Sequence, residues 1–305
     1  MDKIKYILCH GSGNRFVMID AVERDLTELQ TADFVQKVCQ SNSSDGVLFL
    51  VQKAPGFFAM RMFNTDGSEA EMCGNGMRCA ARLVYERYHK YESFKMGSGR
   101  KIYNITHQEQ IAAGVETFSV DIDIATCSDD FLLTADRFVG KRIEELDPEL
   151  YFTYLNLGNP HIVALCDEID LDHLTRLGEK VKTLPAIFPN GVNVSMMKYM
   201  SAQQIFVATF ERGVGLTPSC GTAMTASCTV SILLGVCREE MTVEVRNRGG
   251  MVYCTTSLSP SIVTTLTGNA TFDSVGYVNE QGEILELEPV VTEQEAWGKF
   301  VESLQ

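Results

Sequence analysis

Two of the ten cysteines in this 305-residue chain, Cys73 and Cys220, stand where a thiol can serve as an acid or a base. Each is followed by glycine and a short polar residue, Cys73-Gly74-Asn75 and Cys220-Gly221-Thr222, and then by a segment that reads as a helix. The first N–H groups of a helix lack an intrahelical partner, and the helix dipole is positive there. A thiolate is stabilised in that position, so its pKa falls below the free value of about 8.5. Glycine in the next position permits a tight turn and lets backbone donors approach a ligand, and the same donors can hold a carboxylate. Inverting a carbon next to a carboxylate without a cofactor needs this equipment. One base removes the proton from one face, an acid returns a proton to the other, and the two groups hold opposite protonation states. Fixed donors around the carboxylate would stabilise carbanion character.

The elements that must position these residues are mostly short strands. Ile4-Tyr6-Leu8, Phe58-Met60-Met62, Val120-Ile122-Ile124 and Val243-Val245 alternate with period two. The apolar runs Val47 to Val51 and Ile205 to Phe210 read as strands buried on both faces. After Cys73, the residues Met77, Ala80, Ala81, Val84 and Tyr88 form one helical apolar stripe. From Gly221 to about Leu234 the residues are small or apolar nearly all round, as in a fully buried helix. Further helices are expected over about 27–40, 168–182 and 292–304, and Gly97-Ser98-Gly99 reads as a loop. The chain also repeats itself. Phe63-Asn64 precedes Cys73 at the same distance as Phe210-Glu211 precedes Cys220, and Gly13-Asn14 and Gly158-Asn159 lie upstream at nearly equal distances. The expected architecture is α/β (α+β), with two pseudo-symmetric domains. The first spans residues 1–127 and carries Cys73; the second spans 128–273 and carries Cys220. A C-terminal segment from about 274 to 305 would pack back on the first, and the repeat would let the two cysteine turns face one another.

A net charge of −14 argues against nucleic acid, which requires a basic face. With 45% apolar and 22% charged residues the composition is that of an ordinary globular protein. No stretch approaches the roughly 20 apolar residues of a membrane span. The N-terminus is too interrupted for a secretory segment, so the expected location is cytoplasmic. There is no Cys-x-x-Cys pair and no zinc-finger spacing, so no metal is expected, and eight cysteines read as small core residues. Nothing in the chain points to pyridoxal phosphate or another cofactor.

The run Phe63-Asn64-Thr65-Asp66-Gly67-Ser68-Glu69-Ala70-Glu71-Met72-Cys73-Gly74-Asn75-Gly76-Met77-Arg78-Cys79 resembles the first signature of the diaminopimelate epimerase family. Glu211-Arg212-Gly213-Val214-Gly215 followed by Ser219-Cys220-Gly221-Thr222-Ala223 resembles the second. Gly11-Ser12-Gly13-Asn14, Gly158-Asn159-Pro160-His161 and Phe188-Pro189-Asn190-Gly191-Val192-Asn193-Val194 are similar to further blocks in the same order. The resemblance implies two domains, each a mixed sheet curled around a central helix, and no cofactor. It implies that Cys73 and Cys220 are the acid–base pair. It also implies that Asn14, Asn64, Asn159, Asn193 and Arg212 bind an amino-acid substrate, with Glu211 receiving an ammonium group. The amides of Gly74, Asn75, Gly221 and Thr222 would hold the carboxylate at the reacting carbon. His161 is either a turn residue or an assistant to catalysis from behind the site.

The chain departs from the family pattern at Arg15, where an acidic residue is usual, in Asn42-Ser43-Ser44-Asp45-Gly46, which is not glycine-rich, and at Pro218 and Ala223. These departures bear on substrate choice and leave the cysteines untouched. The leading expectation is conversion of LL-diaminopimelate to meso-diaminopimelate in lysine and peptidoglycan precursor synthesis. One alternative is a racemase of the same fold acting on histidine or a proline derivative; another is a non-catalytic thiol redox or ligand-binding protein. The sequence does not decide the oligomeric state, for which a homodimer is the ordinary case.

Overall fold

The structure, a computed structural model, describes residues 3–304. The chain forms two compact units, one of residues up to Val120 together with those from Thr267 onward, the other of Asp121–Leu266. Both are mixed α/β.

In the first unit the sheet runs Ile284–Pro289, Thr271–Val278, Ile4–Gly11, Asn14–Asp20, Gly46–Ala54, Phe57–Asn64, Ser93–Ser98, Lys101–Gln108 and the part of Thr117–Asp123 up to Val120. Two neighbouring pairs in it are parallel, Asn14–Asp20 with Gly46–Ala54 and Phe57–Asn64 with Ser93–Ser98. Parallel neighbours need a crossover, and each is made by a helix: α1 (Ala32–Asn42) and α2 (Gly74–Arg87). The second unit repeats this plan. Its sheet runs Lys141–Ile143, Asp147–Asn156, Pro160–Cys166, Asn193–Ser201, Gln204–Glu211, Val243–Asn247, Gly250–Ser257, with parallel pairs crossed by α3 (Leu171–Val181) and α4 (Gly221–Leu233). Even the register recurs. Val47 pairs with Phe63 and Val194 with Phe210, the same offset that separates Cys73 from Cys220. A fifth helix, α5 (Val291–Ser303), packs on Thr271–Val278 in the first unit.

α2 and α4 are the central helices. α2 touches five strands of its unit and is buried continuously from Gly74 to Val84. α4 also touches five strands and is buried from Gly221 to Ile232. Three of its buried hydroxyls bond back along the helix: Thr225 donates to the Gly221 carbonyl at 2.9 Å, Thr229 to the Thr225 carbonyl at 3.0 Å and Ser231 to the Cys228 carbonyl at 2.7 Å, while Ser227 Oγ has no partner among the described residues. α1 and α3 are amphipathic and pack one face only. Phe34, Val35 and Val38 of α1 join the first core, and Leu174, Leu177 and Val181 of α3 the second. At Gly178 the Phe210 ring comes so close that a Cβ would lie 2.1 Å from it.

Two local expectations differ from the structure. The segment about 27–40 is a short 3-10 turn, Thr27–Leu29, and then a separate helix, because Thr31 is extended and caps α1 by accepting from the Phe34 amide. Gly97 and Ser98 belong to a strand, with the reversal at Gly99, whose φ of 56° suits glycine.

Candidate active site

Cys73 is the N-cap of α2: its backbone is extended, and its sulfur accepts the Gly76 amide at 3.4 Å. The sulfur is half-buried and faces Asn14 Oδ1 at 3.9 Å. Asn14 is carried by the strand that begins with it, directly after the turn at Ser12-Gly13, where both residues have positive φ. Its amide nitrogen donates to Asp45 Oδ2 at 2.7 Å, and Asp45 Oδ2 also accepts the Arg15 amide at 2.8 Å. Asn75 donates to Asn14 Oδ1 at 3.3 Å. Beneath it the fully buried Arg78 donates to Asn75 Oδ1 at 3.0 Å and to the Gly74 carbonyl at 3.3 Å. Asn64 ends its strand half-buried and is tied to Ser68 Oγ at 3.0 Å, apart from this cluster.

Cys220 holds the equivalent place in the second unit, as the N-cap of α4, but is buried. Burial pushes its thiol well above the usual value. The adjacent Glu211 carboxylate adds to this, and hydrogen bonding to Thr222 and the Ala223 amide opposes it. Glu211 ends the strand Gln204–Glu211 and accepts from Thr217 at 2.6 Å. Thr222 Oγ1 lies 3.5 Å from the Cys220 sulfur and accepts from Asn159 at 3.3 Å. His161, fully buried, places Nε2 3.0 Å from Asn159 Oδ1, 3.1 Å from Thr222 Oγ1 and 3.5 Å from the Asn193 amide. Burial, with the charge of Arg212, lowers its pKa to about 3, so the imidazole is neutral. Its Nδ1 has no hydrogen-bond partner among the described residues. Asn193 accepts the Arg212 amide at 3.0 Å, while the exposed Arg212 guanidinium reaches the Asn190 carbonyl at 3.0 Å.

The structure thus gathers Asn14, Cys73, Gly74 and Asn75 at one helix start, and Asn159, His161, Asn193, Glu211, Cys220, Gly221 and Thr222 at the other. A cavity of about 340 Å³ in the second unit is lined by Phe210, Arg212 and Lys182 but not by Cys220. Alternation along the strand sends Phe210 toward α3 and Glu211 toward Cys220, so this cavity lies behind the sheet from the thiol.

A profile of the diaminopimelate epimerase family matches residues 6–117 and 153–272, most of both units. The chain belongs to that family. It is 37% identical over 258 residues to the diaminopimelate epimerase of Clostridium acetobutylicum, covering 82% of this chain and 77% of that protein. With the diaminopimelate epimerase of Listeria welshimeri it shares 33% identity over 309 residues, 96% of this chain and 94% of the relative. Among solved structures, a phenazine biosynthesis protein of the PhzF family from Bacillus anthracis superposes with a TM-score of 0.65 at 17% identity, covering 92% of this chain and all of that one (100%). A hydroxyproline epimerase from Agrobacterium vitis does so with a TM-score of 0.60 at 14% identity, covering 100% of this chain and 99% of that one. These two likenesses speak for the fold.

The Arg15 guanidinium lies 3.4 Å from the buried Asp273 carboxylate. The site residues that sequence reasoning missed are Asp45, Arg78 and Thr217. Arg78 stood inside the quoted signature, one turn after Cys73-Gly74-Asn75, and its sequence position did not distinguish it from Arg82 on the same helix. Asp45 carries no local signal, since it meets Asn14 across 31 positions where two parallel strands begin, whereas Thr217 meets Glu211 within a short hairpin.

Proposed function

We propose that this protein converts LL-diaminopimelate to meso-diaminopimelate without a cofactor, Cys73 and Cys220 exchanging the α-proton. The observation that carries the reading is the pair of cysteines, each capping the central helix of its unit, in a chain of this family. In this direction Cys73 removes the α-proton and Cys220, standing as the thiol, returns one to the opposite face; the reverse reaction exchanges the roles. The first-turn amides of α2 and α4 receive the α-carboxylate, where donors lacking helix partners stabilise the charge that develops on proton removal. Glu211 disfavours the Cys220 thiolate and so favours its reprotonation. His161, neutral, supports the site from behind without adding charge. Asn64, Asn193 and Arg212 bind the far end of the substrate. A homodimer and a cytoplasmic location accord with this role.

Proton NMR of the reduced protein in D2O with LL-diaminopimelate tests the proposal. Loss of the α-proton signal with this substrate, and not with histidine or proline derivatives run alongside, is the expected result. Exchange with another amino acid alone would transfer the activity to a different racemisation, and no exchange at all would refute the catalytic reading.

A further inference from the structure

Four side chains at the first cysteine form one continuous chain of hydrogen bonds whose direction is set at both ends. Arg78 Nη2 donates to Asn75 Oδ1 at 3.0 Å, Asn75 Nδ2 to Asn14 Oδ1 at 3.3 Å, and Asn14 Nδ2 to Asp45 Oδ2 at 2.7 Å. An amide can ordinarily be turned over, exchanging oxygen for nitrogen. Here it cannot: a guanidinium only donates and a carboxylate only accepts, so both intervening amides have one allowed orientation. The ends are themselves anchored. Arg78 is held by the Gly74 carbonyl at 3.3 Å and the Asn269 carbonyl at 3.1 Å. Gly11 leaves it room, since a Cβ there would lie 2.7 Å from Arg78 Nη2. The Asp45 carboxylate oxygen is shared with the Arg15 amide at 2.8 Å, and the Asp45 amide donates to the Arg15 carbonyl at 2.7 Å.

The consequence falls on Cys73, whose sulfur meets Asn14 Oδ1 at 3.9 Å. We infer that Asp45 and Arg78 are positioning residues that lock the Asn14 carbonyl oxygen onto the Cys73 sulfur and so raise its affinity for a proton. An acceptor opposite the sulfur is satisfied by S–H and repelled by S⁻. That opposes the Gly76 amide, which favours the thiolate, and leaves Cys73 with the basicity needed to take a proton from carbon. The inference deepens the proposed function, resting on Cys73 as the base of that reaction.

The test follows alkylation of Cys73 by iodoacetamide as a function of pH, resolved by peptide mass spectrometry, so it needs no substrate and stands apart from the assay for diaminopimelate. Asp45→Ala, at an exposed position, is expected to lower the midpoint of the profile by an amount equal to about a fivefold gain in thiolate at fixed pH, the weight of one ordinary hydrogen bond. The high-pH plateau, which reports access, should stay where it is. Asn14→Ala should lower the midpoint similarly, and adding Asp45→Ala to Asn14→Ala should shift it no further, because Asp45 acts through Asn14. An Asp45→Ala shift that persists undiminished without Asn14 would make Asp45 a through-space charge and overturn the inference; so would an unmoved midpoint. At the other end, Arg78→Lys, which keeps charge and a donor, should retain the wild-type midpoint more closely than Arg78→Met, and equal shifts in the two would remove Arg78 from the assignment.

Discussion

His161 and His10 make the protein's stability depend on acid in a way that can be worked out. Both imidazoles are held to a pKa of about 3, against an ordinary 6.5, chiefly by burial and then by nearby guanidinium groups: Arg212 for His161, Arg15 and Arg78 for His10. His10 Nε2 lies 3.7 Å from Asp273, yet burial keeps the imidazole neutral and pushes the Asp273 carboxyl up, so the contact is not an ion pair at neutral pH. Between these two pKa values the unfolded chain binds a proton that the folded protein refuses. The stability is therefore complete above about pH 6.5 and is lost as pH falls toward about 3. The slope is ~1.4 kcal/mol per pH unit for each histidine, so each costs ~2 kcal/mol by pH 5. Asp273 works in the opposite sense and offsets part of the His10 share, which makes His161 the cleaner target. His161→Gln keeps a polar group near the position of Nε2 and cannot titrate. Urea unfolding followed from about pH 6.5 to 5 should show its acid slope reduced by close to ~1.4 kcal/mol per unit relative to wild type. An unchanged slope would mean that His161 already carries a proton in the folded protein and would refute the reasoning.

Three further outcomes follow from the same geometry. On the proposed mechanism, Cys73→Ala and Cys220→Ala should each slow epimerisation by about 10³-fold or more, measured as conversion of LL-diaminopimelate, because each would remove an acid–base group that nothing replaces. Glu293→Gln should destabilise the first unit by about 3 kcal/mol in urea unfolding, because it weakens the two-point pairing with the buried Arg82 at 2.6 and 2.7 Å and leaves that guanidinium with less compensation. Gly178→Ala should cost roughly 2 kcal/mol and lower the melting temperature, since its Cβ would sit 2.1 Å from the Phe210 ring and force that side chain aside; a wild-type melting temperature would show that the ring moves freely into the adjoining cavity.

Much of the fold was legible because its signals are local. The stripe Met77, Ala80, Ala81, Val84 and the small apolar run after Gly221 mark α2 and α4 through the period of the helix, and a cysteine followed by glycine marks where each begins. Alternation marked the strands, and the repeated spacing of Phe63 and Phe210 before their cysteines survives as the same pairing register in both sheets. The ordered motifs placed the chain in its family, which the matching profile establishes. Thr31 was harder to read: a cap in the middle of an otherwise helical stretch divides it, and several residues around it favour a helix equally.

What surrounds the two thiols was decided only by tertiary structure. Asn14 meets Asp45 across 31 positions, Asn75 reaches Asn14 across 61, and Arg78 reaches Asn269 across 191. Which way an amide points, whether a histidine is charged and whether a carboxylate stands beside a thiol all depend on such partners and on the removal of water. The pKa of His161 falls to about 3 because burial removes water from it and Arg212 lies nearby, and the Cys220 thiol is pushed up because burial and Glu211 act in the same direction. The sequence by itself determined where the cysteines would cap their helices, since capping is settled within one turn of chain. Charge state and proton affinity are properties of the assembled surroundings, and those exist only once distant strands have paired.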